Sequence, residues 1–106
     1  IHVFNSDALF NNAAHVHDIG DMICTCLKSG WQGHQAITIG AGGTMRVKDV
    51  VQKLVNGTGE RSEIEIVESS QSPFTISNIK ASKQFGYRPK EISEMLDQFI
   101  IENRPS

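Results

Sequence analysis

Clustered basic charge, long apolar runs and cysteine are what this sequence has least of. Its ten lysines and arginines are scattered along 106 residues and the formal net charge is −2. No patch of this chain could therefore neutralise a row of phosphates, which excludes a nucleic-acid partner. No apolar stretch reaches the roughly 20 residues a membrane-spanning helix needs, and no basic start with an apolar core and a small-residue cleavage site opens the chain. The expectation is a cytoplasmic protein with no membrane partner. The two cysteines, Cys24 and Cys26, stand two apart on a predicted helix, about 200° around its axis from one another. That separation excludes a disulfide or a shared metal between them and predicts small, buried or part-buried apolar side chains of a reduced protein. Internal repeats and low-complexity segments are absent as well.

What is present suits an ordinary folded domain. With 39% hydrophobic and 21% charged residues, the chain can bury one modest core and is too short for two full domains. Ile1 to Phe4 reads as a strand, and a start at Ile1 without methionine suits a piece of a longer protein. Asn5-Ser6-Asp7 reads as a turn and Asn11 to Val16 as an extended stretch entering a helix. Asp18 is the predicted N-cap of that helix, with Asp21 favouring the positive end of its dipole. Apolar residues at Ile19, Met22, Ile23, Cys26 and Leu27 predict one buried face, and Ser29-Gly30 ends it.

Gln35 to Gly40 alternates as a short strand, followed by a turn at Gly40-Ala41-Gly42-Gly43. A second helix carries Val47, Val50, Val51, Leu54 and Val55 and stops at Asn56-Gly57; its β-branched content makes it depend on packing. Ile64 to Val67 is a strand and Glu68 to Pro73 a polar loop. Ser77 caps a short helix ending at Gly86, and the last helix shows the clearest period, at Ile92, Met95, Leu96, Phe99 and Ile100. Four helices interleaved with short strands predict an α/β fold.

Three local patterns invite chemical readings. Gly40-Ala41-Gly42-Gly43-Thr44-Met45 follows a strand and precedes a helix, as a dinucleotide-binding glycine loop must, but Met45 stands where glycine or alanine is required. A turn needing positive φ is the alternative. His15, His17 and Asp18 resemble the opening of a binuclear metallohydrolase motif, with the acid one residue early and the following histidine missing; a metal-dependent hydrolase is the remote alternative this leaves. Trp31, between Gly30 and Gly33, reads as a cover for a helix end or as a platform for a sugar.

Taken in order, His15-Val16-His17-Asp18-Ile19, Ile37-Thr38-Ile39-Gly40-Ala41-Gly42 and Phe85-Gly86-Tyr87-Arg88-Pro89 resemble the C-terminal third of an extended short-chain dehydrogenase/reductase. This is the family of NAD-dependent nucleotide-sugar epimerases and dehydratases. The resemblance covers nearly the whole chain, residues 1–106, and implies the C-terminal substrate-lobe fragment of a Rossmann-type epimerase. The NAD-binding domain is absent from it. In the family, the strand matching Ala36 to Ile39 lies at the edge of the NAD-domain sheet, Asp18 is structural, and NAD(P) and a catalytic Tyr-x-x-x-Lys serve the reaction.

The single tyrosine here, Tyr87, is followed four residues on by Glu91, so no catalytic residue and no cofactor is expected for this chain itself. The resemblance implies a nucleotide-sugar substrate, for which Asn11, Asn12, Ser69 and Ser70 are the candidate binding residues. Asn11 stands where the family usually has a diphosphate-binding arginine, and the loop from Glu68 to Ser72 lacks a second one. Both departures set the chain apart from a strict UDP-sugar 4-epimerase. A fragment cut from two lobes would expose apolar surface and either form a homodimer or be partly disordered. A non-catalytic module that binds a protein or a ligand with the same fold is the alternative from another class.

Overall fold

A computed structural model of the chain describes residues 1–30, 32–59, 62–69 and 71–103. Along these the elements are β1 (His2–Phe4), β2 (Leu9–Phe10), α1 (Val16–Lys28), β3 (Met45–Arg46), α2 (Val47–Thr58), β4 (Glu65–Val67), α3 (Ile79–Phe85) and α4 (Ile92–Glu102). β1 and β4 pair in parallel, with Val3 opposite Ile66, and β2 and β3 pair antiparallel, with Phe10 opposite Met45. The predicted α/β class with four helices and short strands is what forms.

The core lies where α2 crosses α4 under the glycine-rich segment. Ala41, Val50, Ile92, Met95 and Leu96 are its buried members, with Phe10, Met45 and Leu54 packed against them. Gly57 sits inside α2, where glycine ordinarily costs about 1 kcal/mol relative to alanine. The reason is contact: a Cβ there would lie 2.5 Å from Cδ1 of Ile100, so the two helices approach more closely than any side chain allows. α2 consequently continues past Asn56-Gly57 and ends at Gly59, whose φ of 74° is left-handed.

Several local readings are corrected. α1 starts at Val16 with His15 as N-cap, the imidazole accepting from the His17 N–H, so Asp18 falls in the first turn instead of capping it. The strand expected within Asn11 to Val16 is Leu9–Phe10 instead, and the N-cap of α3 is Asn78, with Ser77 one residue earlier. Gln35 to Gly40 joins no ladder. Side chains hold it instead, since Thr38 Oγ1 donates to the Ser77 carbonyl and the Gly40 N–H donates to Asn78 Oδ1. Cys24 is exposed and only Cys26 is half-buried.

The apolar stripe of α1 has the predicted spacing, yet Ile19, Ile23 and Leu27 stay 39%, 55% and 78% exposed. Met22 and Cys26 of the same stripe are half-buried, so the described chain covers only part of that face. The molecule is a slab of 49 × 40 × 18 Å with a radius of gyration of 16.2 Å, against about 13 Å for a compact chain of this length. Trp31 lies outside the described residues.

Candidate functional site

Two polar neighbourhoods lie side by side, and they differ in whether their amides are already used. The first is a knot around the Gly40-Ala41 peptide. The Ala41 N–H donates to the Asn11 carbonyl, and the Ala41 carbonyl accepts from both Asn11 Nδ2 and Asn78 Nδ2. Asn11 also pairs with the backbone of Ile76 as a strand would: Nδ2 donates to its carbonyl at 2.8 Å and Oδ1 accepts from its N–H at 2.7 Å. Asn11 is 5% exposed, so this predicted substrate residue spends its amide joining three chain segments. Asp18, also buried, accepts from the Lys90 N–H at 2.9 Å and ties the first turn of α1 to the segment before α4.

Tyr87 closes the knot by donating its phenolic O–H to the Gly40 carbonyl at 2.8 Å. Burial, with a smaller contribution from the Asp18 charge, raises its pKa above the ordinary 10.0. The fold therefore prefers the neutral phenol. That stabilisation is complete below the ordinary value and is lost as pH climbs through the raised one. Tyr87→Phe, which leaves the Gly40 carbonyl without its donor, is expected to lower stability by about 1–2 kcal/mol at pH 8. Urea midpoints measured from pH 8 to 11 should show the wild type losing this advantage at the alkaline end. Equal midpoints for the two proteins at pH 8 would overturn the assignment.

The second neighbourhood is a groove at the carboxyl ends of the parallel strands β1 and β4, the position at which open α/β sheets bind ligands. Three adjoining hollows of about 550, 240 and 500 Å³ share Asn5 in their walls. Asn12 lines one of them and Ser69 the other two. The structure thus brings Asn12 and Ser69 to one groove, whose walls do not include Asn11; Ser70 lies outside the described residues. Asn5 and Gln71 also line the groove, and neither side chain hydrogen-bonds within the described residues.

Sequence reasoning read Asn5 only as part of a turn. Its φ of 52° is a left-handed conformation that asparagine tolerates better than most residues, and the Ala8 N–H donates to its carbonyl. An asparagine closing a strand was the available signal, one shared with countless ordinary turns.

The other chemical readings find no convergence. Of the glycine-rich turn only Gly43 has a positive φ, and the first two N–H groups of α2 are taken, Val47 donating to the Ala8 carbonyl and Lys48 to that of Ser6. With those donors occupied and Met45 in β3, the residues present do not fit a dinucleotide pyrophosphate. The His15 and His17 rings meet edge to face at 4.6 Å while Asp18 is turned to Lys90. Among the described residues no three His, Cys, Asp or Glu side chains are grouped to hold a metal, and no helix is long and apolar enough to cross a membrane.

No family model and no curated protein matches the chain. Among solved structures it is similar to RMD from Pseudomonas aeruginosa complexed with NADPH, with a TM-score of 0.63 and 16% identity. The likeness covers 97% of this chain and 35% of that one. At that identity it shows a shared fold, and the chain spans about a third of the length of the protein it resembles.

Proposed function

We propose that this chain is the substrate-lobe portion of an NAD(P)-dependent enzyme of the extended short-chain dehydrogenase/reductase type, and that its groove holds the sugar of a nucleotide-sugar substrate. The observation that carries the reading is the set of amides around the ends of β1 and β4: among the described residues the side chains of Asn5 and Gln71 are unpartnered, and Asn12 uses only its Oδ1. The fold shared with part of an NADPH-complexed protein supports it. So does the order of the three motifs, whose central one is the Gly40-Ala41 knot. In this reading Asn11 joins the segments behind the groove, while Asn12 and Ser69 face the substrate. The cofactor is held by residues outside this sequence.

The test is a thermal-shift series with UDP-, GDP- and dTDP-sugars, run beside an activity assay with added NAD(P). A shift of a few degrees with one group of nucleotide sugars, and no turnover, is expected. The absence of a shift with any of them would sink the reading.

The open stripe on α1 leads to a second expectation, self-association of the chain in isolation as a homodimer. Sedimentation equilibrium should give a dimer for the wild type and a monomer for Ile23→Glu, because a charge at the middle of that stripe makes its burial costly. A wild type that stays monomeric at hundreds of micromolar contradicts it.

A further inference from the structure

We infer that the groove selects the uncharged, hydroxyl-rich glycosyl part of a ligand and rejects a diphosphate, with Asn5 as a ligand-contacting residue; this rests on the sugar-binding reading above. The argument begins with charge. The ionisable side chains lining the three hollows are Asp7 and Glu68, both acidic. Lys48 is bound to Asp7 at 2.9 Å. Its hydrogen bond and charge, with a smaller contribution from Arg46, hold the Asp7 carboxyl below its usual value. Among the described residues no cation lines the three hollows, and Arg46, whose charge reaches Asp7, lies outside their walls. At the neighbouring helix end the first two N–H groups are spent on the Ala8 and Ser6 carbonyls. A diphosphate consists of acceptors carrying negative charge and needs fixed donors or cations, and it would meet acceptors of the same sign.

A sugar hydroxyl both donates and accepts, and so does a carboxamide. The side chain of Asn5 is wholly unpartnered within the described residues, as is that of Gln71. Asn12 uses only Oδ1, which accepts from the Asn11 N–H, so its Nδ2 remains available. Phe4 and Phe74, 53% and 71% exposed, supply apolar walls in the same groove for the C–H faces of a ring. The two larger hollows, of about 550 and 500 Å³, fall within the roughly 300–1,000 Å³ of small-molecule sites. Asn12 and Gln71 are exposed, whereas Asn5 is half-buried with its amide unpaired among the described residues, which singles out Asn5 as the group held for a ligand.

The test is protein-observed NMR on the isotopically labelled chain, titrated separately with methyl glycosides of glucose, galactose and mannose and with UDP and GDP. At least one glycoside is expected to move the Asn5, Asn12 and Gln71 signals saturably at millimolar concentration, while UDP and GDP leave them in place. Asn5→Gly, which fits the positive φ and so keeps the fold, should weaken glycoside binding at least fivefold with the melting temperature within a few degrees of wild type. Glu68→Lys should bring UDP or GDP into the groove. Movement of these signals by UDP or GDP in the wild type overturns the inference while leaving the sugar-nucleotide reading standing. Silence toward every glycoside, nucleotide and nucleotide sugar overturns both, and unweakened binding by Asn5→Gly overturns the role of Asn5.

Discussion

Replacing Asn11 with aspartate should cost about 3 kcal/mol of folding stability, although the two side chains have nearly the same shape. Oδ1 could still accept from the Ile76 N–H, but the Nδ2 that donates to the carbonyls of Ile76 and Ala41 becomes an oxygen aimed at two other oxygens. A buried acceptor facing acceptors loses its hydrogen bonds and adds repulsion, and each unsatisfied group costs about 1–3 kcal/mol. Asn11→Ala removes the same donors without the repulsion and should lie closer to 2 kcal/mol, because Asn78 Nδ2 still serves Ala41. Against a total of about 5–15 kcal/mol for a domain, either change removes a large share. Urea unfolding gives the comparison directly, and a loss under 0.5 kcal/mol for both variants would falsify the knot as a stabilising feature. Asn11 also anchors Ile76 at the end of the loop carrying Gln71 and Phe74, so both variants should bind nucleotide sugars more weakly under conditions where they remain folded.

That role explains how much of the molecule was legible in the sequence. The α2 and α4 periods are repeated short-range patterns, and Val50, Ile92, Met95, Leu96 and Ile100 are buried as the spacing predicts, while Val47, Val51, Leu54 and Val55 are half-buried and Phe99 stays 50% exposed. The α1 stripe has the same kind of pattern, but burial needs a partner, and a pattern specifies only which face seeks one. Asp18 was placed near a helix start correctly and given the wrong task. An N-cap is a local rule, whereas its actual acceptor role serves Lys90, 72 residues away.

The site divides along the same line. Asn12 and Ser69 reach one groove because β1 and β4 pair in parallel across a long connection, which no local pattern encodes. Asn11 was singled out for standing where an arginine was expected. In the structure a short amide there can pair with Ile76 in strand fashion, and a guanidinium, which has no acceptor, could not accept from its N–H. Asn5 carried no signal beyond turn propensity, because its importance lies in an amide left unpaired, and that is visible only once every neighbour has been placed.

The glycines give the sharpest separation between motif and structure. Read as a fingerprint or as a turn, Gly40 and Gly43 should respond alike to substitution; the geometry makes them unequal. Gly43 has a φ of 63°, and a Cβ there would meet only the side-chain end of Glu91, which is exposed and can move. Gly43→Ala should cost about 1 kcal/mol, the conformational penalty of a left-handed alanine. Gly40 needs no special φ, yet a Cβ would stand 2.7 Å from the Asn11 carbonyl oxygen and 2.9 Å from Cβ of Ile76. Neither neighbour can withdraw, because that carbonyl accepts from the Ala41 N–H and Ile76 is held by the Asn11 amide. Gly40→Ala should therefore force the three segments of the knot apart and cost about 3 kcal/mol, the upper end for overpacking. Measured side by side in urea, the two alanines should differ by about 2 kcal/mol with Gly40 the worse. Equal losses would mean that these glycines serve turn conformation alone and that the close approach at Gly40 is not a feature of the folded chain.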